Sequence, residues 1–313
     1  MTEQRWRAAQ ASVRGKAHID SNLPNQDSVT LLAAAGEEAW VAVVSDGAGT
    51  AIRAADGSRE ATADIAADLL QFAEANLYHA PKPVEFSTAV ELSIERLRTH
   101  LQDSGWPLHD FHCTFVACVA FSHSVFVAYL GDSVALASRF DFAHRKTGRS
   151  VDFFPAASTW LYQSRPSEYS NETRFLTESD WRNNLRVDVL PPDTDAVILM
   201  TDGARDVAMS GSQVFRGFLS NLVAALARTD SREERDATIR AWLEDKRTYT
   251  TTGDDKTLVA LLSGRRLSNA LLPVYMGEEH ESEAHLPTQA LTPARTDASV
   301  PEPEAQEGWT PDA

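Results

Sequence analysis

The order of the predicted elements indicates an α+β fold with layered sheets and outer helices, rather than a doubly wound parallel sheet. Strand patterns come in groups that two pairs of helical patterns separate, so strands do not alternate one-for-one with helices. The 313 residues are 43% hydrophobic, which is enough for a sizeable core. Two of the apolar runs, "VAVVSDG" and "VILMTDG", end abruptly in an Asp-Gly pair.

The first part of the chain predicts three strands followed by two helices. Residues 5–13 have a strand pattern, and residues 29–46 have the pattern of two strands joined by a turn at Gly36-Glu37. Apolar side chains then recur at helical spacing in two segments, which predicts two helices. These side chains are Ala61, Ile65, Leu69, Phe72 and Leu77 in the first helix, and Val90, Ile94, Leu97 and Leu101 in the second.

The second part predicts further strands, a second helix pair and a closing strand. Strand patterns cover residues 113–121 and 125–138 and return at residues 186–190 and 195–203. Helical spacing predicts two more helices, and residues 254–264 close the pattern as a strand. The side chains that mark these helices are Val214, Phe218, Leu222 and Ala225 in the third, and Ile239, Trp242 and Leu243 in the fourth.

Composition divides the chain into a folded domain and a tail. Residues 1–264 carry the strand and helix patterns, whereas residues 265–313 contain several prolines and few large apolar side chains. This last segment is also acidic, which favours a disordered tail. Inside the folded domain, residues 139–185 are polar and irregular over an unusual length, so we expect this segment to be functional, mobile or both.

Net charge, hydropathy and cysteine usage argue against several classes of function. The net charge of −16 argues against a nucleic-acid partner. No apolar run approaches the roughly 20 residues that span a bilayer, and the N-terminus is too polar for a signal peptide, so we expect a cytoplasmic protein without membrane association. Cys113 and Cys118 lie in one predicted strand, too far apart for a disulfide, and we interpret them as small buried hydrophobic residues.

Acidic residues recur where an apolar strand meets a polar turn. A single Asp-Gly pair is most often only a turn, but five separate junctions carry aspartate in this chain. They are Asp27, Asp46, Asp132, Asp202 and the pair Asp254–Asp255. Strand ends can converge at one rim of a sheet domain, where ionised carboxylates repel one another. Divalent cations are the natural counter-charge, and oxygen-only ligands select Mg²⁺ or Mn²⁺.

Five segments in order resemble the motif set of the 2C-type metal-dependent serine/threonine phosphatases, and in particular a bacterial-type branch. They are "RGKAHIDSNLPNQDS", "VVSDGAG", "YLGDS", "LMTDGARD" and "GDDKTLVAL". The resemblance implies a central antiparallel β-sandwich with helix pairs on both outer faces, a four-layer α-β-β-α arrangement. It also implies that a water activated by two metal ions hydrolyses phosphoserine and phosphothreonine. The implied partners are a phosphorylated protein substrate and a cognate Ser/Thr kinase.

The same resemblance implies a role for most of the acidic residues. Asp46 would bridge two Mg²⁺ or Mn²⁺ ions, and the Gly47 carbonyl would bind one of them. Asp202 and Asp254 would complete the ligands of the first ion. Asp27 would act on the second ion through water.

A third, weaker ion and a flap are further implications of the resemblance. Asp132 matches the position that holds this third ion in bacterial members, and residues 139–185 would include the flap beside the active site. Two positions depart from the family pattern. Thr50 replaces the last glycine of Asp-Gly-x-Gly-Gly, and Asp255 replaces the asparagine of the closing Asp-Asn motif.

The residue that grips the phosphate stays open among four basic candidates. Arg14, Lys16 and His18 lie near the position of an early arginine that many members use, and Arg53 follows the second motif. His18 and Arg53 are the catalytic candidates. His18 would contact the phosphate or protonate the leaving alkoxide, and Arg53 would contact the phosphate.

Two other functions remain alternatives at the level of sequence. The domain could be a non-catalytic relative that senses phosphorylation or binds a partner, although the main ligand positions are filled. It could also hydrolyse a small phosphorylated metabolite in place of a protein. Five unrelated turns in this order would require five coincidences, so a purely structural explanation is disfavoured.

Overall fold

The computed structural model describes residues 6–141, 154–163 and 173–264, and the predicted tail at residues 265–313 lies outside this part. Strands make up most of its centre. In chain order they are β1 (Trp6–Val13), β2 (Asp27–Ala34), β3 (Ala39–Asp46), β4 (Phe115–Ala120), β5 (Val125–Leu130), β6 (Val134–Asp141), β7 (Phe154–Tyr162), β8 (Arg186–Val189), β9 (Ala196–Met200), β10 (Met209–Ser210), β11 (Gln213–Val214) and β12 (Lys256–Ser263).

Ten of these strands form two five-stranded sheets. The first sheet has the order β1-β12-β9-β6-β7, and the second has the order β2-β3-β4-β5-β8. Every neighbouring pair in both sheets is antiparallel. The first and last strands of the described domain, β1 and β12, are paired over their whole length, so the two ends of the domain are fastened together.

Two pairs of long helices cover the sheets. The helices in chain order are α1 (Lys16–Asp20), α2 (Ala54–Ala75), α3 (Pro83–Asp103), α4 (Trp181–Asn184), α5 (Asp202–Ala208), α6 (Arg216–Ala227) and α7 (Arg232–Leu243). Local chemistry fixes the start of α7, because the Ser231 hydroxyl accepts a hydrogen bond from the Glu234 N–H at 3.1 Å. The predicted stripe on α2 is fully buried at Ala61, Ile65 and Leu69, whereas Phe72 is partly buried and Leu77 lies beyond the end of the helix.

Three hydrophobic clusters fill the interfaces between the layers of helices and sheets. One lies between the second sheet and the helices α2 and α3, and another lies between the first sheet and the helices α6 and α7. The third lies between the two sheets and contains Trp6, Trp40 and Val259. Each fully buried aliphatic side chain contributes about 1.5–3 kcal/mol of transfer free energy. The predicted α+β fold, a central antiparallel sandwich flanked by helix pairs, is confirmed.

Some elements differ from the sequence-based expectation. The segment predicted to be irregular, residues 139–185, contains β7, which pairs with β6. Strand β7 is an edge strand, where Pro155 is tolerated and the apolar pattern is weak. The third predicted helix begins at Arg216, and Val214 lies in the short hairpin before it. The one-turn helix α1 and the two-turn helix α5 were not predicted.

Two further observations concern membranes and cysteines. Within the described ranges, none of the helices combines the length and the apolar character that crossing a membrane requires. Cys113 and Cys118 are both free and fully buried, as predicted. Burial raises the pKa of the Cys113 thiol to about 12, so this side chain is not a nucleophile at neutral pH.

Candidate active site

A cleft of ≈ 560 Å³ opens at the rim of the sandwich where strands of both sheets end. Four of the predicted aspartates line it, and they come from different parts of the chain. Asp46 ends β3, Asp202 opens α5 directly after β9, and Asp254 lies just before β12. Asp132 lies in the turn that connects β5 of one sheet to β6 of the other. The structure thus brings these carboxylates together, although 208 positions separate Asp46 from Asp254 in the sequence.

The fifth predicted aspartate lies behind the cleft. Asp27 is 7% exposed and stands opposite Asp46 in the β2–β3 ladder. The Thr201 hydroxyl donates a hydrogen bond to Asp27 Oδ2 at 2.7 Å and accepts one from the Thr257 N–H at 3.0 Å. Thr201 directly follows β9 of the first sheet and Asp27 begins β2 of the second, so this hydrogen bond joins the ends of the two sheets beside the cleft.

The glycines that follow Asp46 and Asp202 lie so close to other backbone atoms that no side chain would fit. A Cβ atom on Gly47 would lie 2.5 Å from the Ala54 carbonyl oxygen. A Cβ atom on Gly203 would lie 2.0 Å from the Asp255 carbonyl oxygen. Neither Asp-Gly pair forms a hairpin turn, because each leads from a strand toward a helix. The recurrence of Asp-Gly therefore reflects how tightly the backbone is packed around the cleft.

The ionised carboxylates of the cleft repel one another. Burial raises the pKa of Asp46 well above its ordinary value, and the Asp27 and Asp202 carboxyls raise it further. Burial, followed by the Asp132 and Asp254 carboxyls, raises the pKa of Asp202 to about 7. Two like charges about 4 Å apart cost about 4 kcal/mol at the effective dielectric constant of protein sites. Such a cluster calls for a compensating positive charge.

The oxygen chemistry of the cluster suits a divalent cation. Asp132 Oδ1 and Asp202 Oδ1 are buried, and neither has a hydrogen-bond partner among the described residues. Carboxylate oxygens are the ligands that Mg²⁺ and Mn²⁺ prefer. Divalent cations bound in the cleft would satisfy such atoms and would offset the burial and the repulsion that raise the pKa values of Asp46 and Asp202.

A comparison with protein-family models identifies the family. Residues 14–244 match the model described as Protein phosphatase 2C. The chain belongs to the protein phosphatase 2C family. This 2C-family chain is 25% identical over 275 residues to serine/threonine-protein phosphatase 3 of Escherichia coli (strain K12). That match covers 82% of the chain and 98% of the relative. The family resemblance inferred from the five motifs is confirmed.

Solved structures share the 2C-type fold. The serine/threonine phosphatase of S. agalactiae has a TM-score of 0.53 at 14% identity, covering 82% of this chain and 99% of that chain. The catalytic domain of PstP, solved in complex with two manganese ions, has a TM-score of 0.51 at 15% identity, covering 82% and 98%. A C. elegans sex determining protein has a TM-score of 0.57 at 16% identity, covering 85% and 67%.

His18 lines the same cleft of this 2C-family chain. Its Nδ1 atom lies 2.8 Å from Asp255 Oδ2, and its side chain is 15% exposed. Ligand atoms of His18, Asp254 and Asp255 lie within 4.8 Å of one another. Thr50, which replaces a family glycine, also lines the cleft. The catalytic role of His18 stays a prediction, now with a position beside the carboxylate cluster.

The structure places the other basic candidates away from the cleft lining. The Arg53 guanidinium is 2.9 Å from an Asp56 oxygen and stacks 4.8 Å over the Trp106 ring. Arg14 donates to the Leu23 carbonyl, and Lys16 pairs with Asp20. The phosphate role of Arg53 stays a prediction that this geometry does not favour, because its charge already has partners.

Sequence reasoning missed two buried residues beside the site. Asp255 was noted only as the second member of an acidic pair and as a departure from the family pattern, yet its carboxylate is 1% exposed and accepts hydrogen bonds from two distant backbone N–H groups. Lys256 is fully buried, and its Nζ atom has no hydrogen-bond partner among the described residues. A charged residue at the start of an otherwise apolar strand was the available signal for Lys256.

Proposed function

We propose that the chain is a metal-dependent phosphatase that hydrolyses phosphoserine and phosphothreonine in proteins. The observation that carries this proposal is the convergence of Asp46, Asp132, Asp202 and Asp254 on one cleft, where two buried oxygen atoms have no hydrogen-bond partner in the described part of the chain. Family membership supports it, and so do the name of the E. coli relative and the manganese ions of the PstP structure.

Each acidic residue has a place in this proposal. Asp46, with the Gly47 carbonyl, would hold two divalent cations, and Asp202 and Asp254 would complete the ligands of one of them. Asp27 stands behind Asp46 and would act through water. When bound, two such cations would activate a water molecule and neutralise the charge on the phosphate oxygens.

Asp132 would hold a third ion. Its Oδ2 accepts a hydrogen bond from the Thr173 hydroxyl at 2.9 Å, and its Oδ1 has no partner among the described residues. One oxygen of this carboxylate is therefore oriented while the other remains available to a cation. The resemblance assigns a weaker ion to this position, and one available carboxylate oxygen fits that expectation.

In this proposal, His18 protonates the oxygen of the leaving group. It lines the cleft beside Asp254, so its ring lies close to where the phosphate ester would bind. As the oxygen of the attacking water, which gives up one proton to solvent, forms the new bond to phosphorus, the ester oxygen of serine or threonine leaves and takes a proton from the cationic His18 ring. A phosphocysteine intermediate has no support, because both cysteines are fully buried and neither lines the cleft.

Assays with and without metal test the proposal. We expect the purified protein to hydrolyse a phosphoserine peptide and p-nitrophenyl phosphate with Mn²⁺ or Mg²⁺, and to be inactive in EDTA. Asp46→Asn should lose activity by more than about 100-fold, because the bridging carboxylate is gone. Asp206→Asn is a matched control, since Asp206 is an exposed aspartate of α5 that pairs with Arg205. Full activity of Asp46→Asn, or undiminished activity in EDTA, would contradict the proposal.

The same assays separate the two alternatives. A binding relative without activity would hydrolyse neither substrate, and Mn²⁺ need not stabilise it. A metabolite phosphatase would prefer small phosphate esters over the phosphopeptide in a substrate panel. We expect the phosphopeptide to be the better substrate.

A further inference from the structure

Asp255 forms a buried junction between three segments that surround the cleft. Its Oδ1 accepts a hydrogen bond from the Gly15 N–H at 2.6 Å, and its Oδ2 accepts one from the Gln26 N–H at 2.6 Å. The same Oδ2 lies 2.8 Å from Nδ1 of His18. The three partners precede, belong to and follow the short helix α1, so one side chain positions this helix and the loop after it.

The chemistry of these partners requires a carboxylate. Two of them are backbone donors, and each approaches a different oxygen of Asp255. A carboxylate has two acceptor oxygens, whereas an asparagine amide has one acceptor and one donor group. An asparagine would therefore direct an N–H group at either Gly15 or Gln26. The aspartate at a position where the family pattern has asparagine is accounted for by this pair of donors.

The junction also determines the orientation of His18. Because Asp255 is an acceptor, the His18 Nδ1 atom carries a hydrogen and donates it. The other ring nitrogen, Nε2, has no hydrogen-bond partner among the described residues, while the ring lines the cleft. The backbone holds the helix in place as well, because the Ala17 N–H donates to the Gly253 carbonyl at 2.9 Å.

We infer that Asp255 is a positioning residue for His18. It fixes the ring so that Nε2 faces the substrate and donates the proton that the leaving serine or threonine oxygen requires. The inference rests on the proposed function and adds a substrate preference to it. Phosphate esters of poor alkoxide leaving groups depend on this proton, whereas p-nitrophenolate leaves as a stable anion. In the cationic ring both nitrogens carry a hydrogen. The proton moves from Nε2 to the ester oxygen as the bond from that oxygen to phosphorus breaks, and the ring is left neutral with its hydrogen on Nδ1.

Kinetics on the two kinds of leaving group test the inference. His18→Gln and Asp255→Asn should each lower kcat for a phosphoserine peptide by about 100-fold, and kcat for p-nitrophenyl phosphate by less than about 5-fold. The double variant should lose no more than either single variant, because both changes remove the same donor. Asp20→Asn is the control, since Asp20 is an exposed aspartate of the same helix α1 and pairs with Lys16. Its kcat should equal that of the unchanged protein on both substrates.

A spectroscopic measurement tests the positioning without any turnover. In metal-free protein with ¹⁵N-labelled histidine, the neutral His18 ring should be protonated at Nδ1 and unprotonated at Nε2. This measurement needs no variant, so it remains decisive if Asp255→Asn fails to fold. In a folded Asp255→Asn protein, the preference for the Nδ1 tautomer should be lost, because the asparagine amide can donate to Nδ1.

The outcomes separate this inference from the proposed function. An inactive wild-type protein whose His18 carries its proton on Nδ1 would defeat the phosphatase proposal while supporting the positioning by Asp255. Equal losses on both substrates in Asp255→Asn would overturn the inference, because a merely structural or metal-related role affects both equally. A His18 ring protonated at Nε2 in the neutral form would overturn it as well.

Discussion

Among single residues, Lys256 is the least expected, because it is a lysine that lies fully buried at the start of the apolar strand β12. The side chain is fully buried, and burial lowers its pKa, while the carboxylates of Asp255, Asp254 and Asp27 favour its charged form. Its Nζ atom lies 5.0 Å from the centre of the Tyr249 ring, which provides a further, weaker attraction. Lys256 therefore offsets part of the negative charge of the cluster from behind.

Replacement of this lysine should strengthen cation binding. In Lys256→Met the hydrocarbon stem is retained and the positive charge beside the cluster is lost, so Mn²⁺ should bind about three- to tenfold more tightly. Isothermal titration calorimetry on metal-free protein measures this change. Lys246→Met, which alters an exposed lysine nearby, should leave the affinity unchanged. Weaker Mn²⁺ binding in Lys256→Met would show that the lysine organises the site rather than offsetting its charge.

The aspartates could be predicted at this scale, but their partners could not. Each acidic residue is marked locally, because an apolar run stops at it and a turn or glycine follows. The hydrogen bonds of Asp255 reach Gly15 and Gln26 across more than 220 positions, and no local pattern specifies them. The sequence likewise did not indicate that Arg53 pairs with Asp56 and stacks on Trp106, so Arg53 was predicted to contact the phosphate.

At the scale of elements, helix α5 is seated against the chain segment that carries Asp254 and Asp255. Its second residue, Gly203, leaves no room for a side chain, since a Cβ atom would lie 2.0 Å from the Asp255 carbonyl oxygen. The contacting atom belongs to the backbone and cannot rotate away. Because Gly203 has no side chain, α5 can pack directly against this segment. This close packing sets the positions of Asp202 and Asp254 relative to each other.

Gly203→Ala should therefore damage both stability and activity. Overpacking of this kind costs about 1–3 kcal/mol, which lowers Tm by about 3–10 °C in a domain of this size. Displacement of α5 should also weaken Mn²⁺ binding. Gly49→Ala is the matched control, because its Cβ atom would lie 3.8 Å from the nearest atom, a side-chain oxygen of Gln26. Thermal unfolding that is identical for Gly203→Ala and the unchanged protein would refute this view of the packing.

Hydrophobic periodicity predicted the long elements and failed on the short ones. Helices α2 and α3 each contain more than five turns, so their apolar stripes recur often enough to be recognised. Helices α1 and α5 contain five and seven residues, too few for a repeat at helical spacing. They form because neighbouring backbone groups hold them in place, as the hydrogen bond from Ala17 to Gly253 does for α1.

At the scale of the whole molecule, the metal site should link stability to pH. The pKa of Asp202 rises from 3.8 to about 7 on folding, because of burial and neighbouring carboxyls. Between these two pH values the folded protein holds more protons than the unfolded chain, so the stability of the metal-free protein falls as the pH rises. Cations compete with protons for the same oxygens and should reverse this loss.

Thermal unfolding with and without Mn²⁺ measures this linkage. In EDTA, Tm should be higher at about pH 5 than at about pH 7.5, and the increase in Tm that Mn²⁺ produces should be larger at the higher pH. Asp202→Asn should flatten the pH dependence in EDTA, because one of the titrating carboxyls is removed. Equal Tm values with EDTA and with millimolar Mn²⁺ at about pH 7.5 would speak against a shared cation site.

An anomalous difference map from crystals grown with Mn²⁺ would show directly whether these aspartates bind the catalytic metal ions. We expect two strong manganese peaks in the cleft, roughly 3.5–4 Å apart, with Asp46 bound to both and Asp202 and Asp254 bound to one of them. Manganese bound only elsewhere on the molecule, in a protein that hydrolyses phosphoserine peptides in the same buffer, would contradict the claim that these aspartates form the active site.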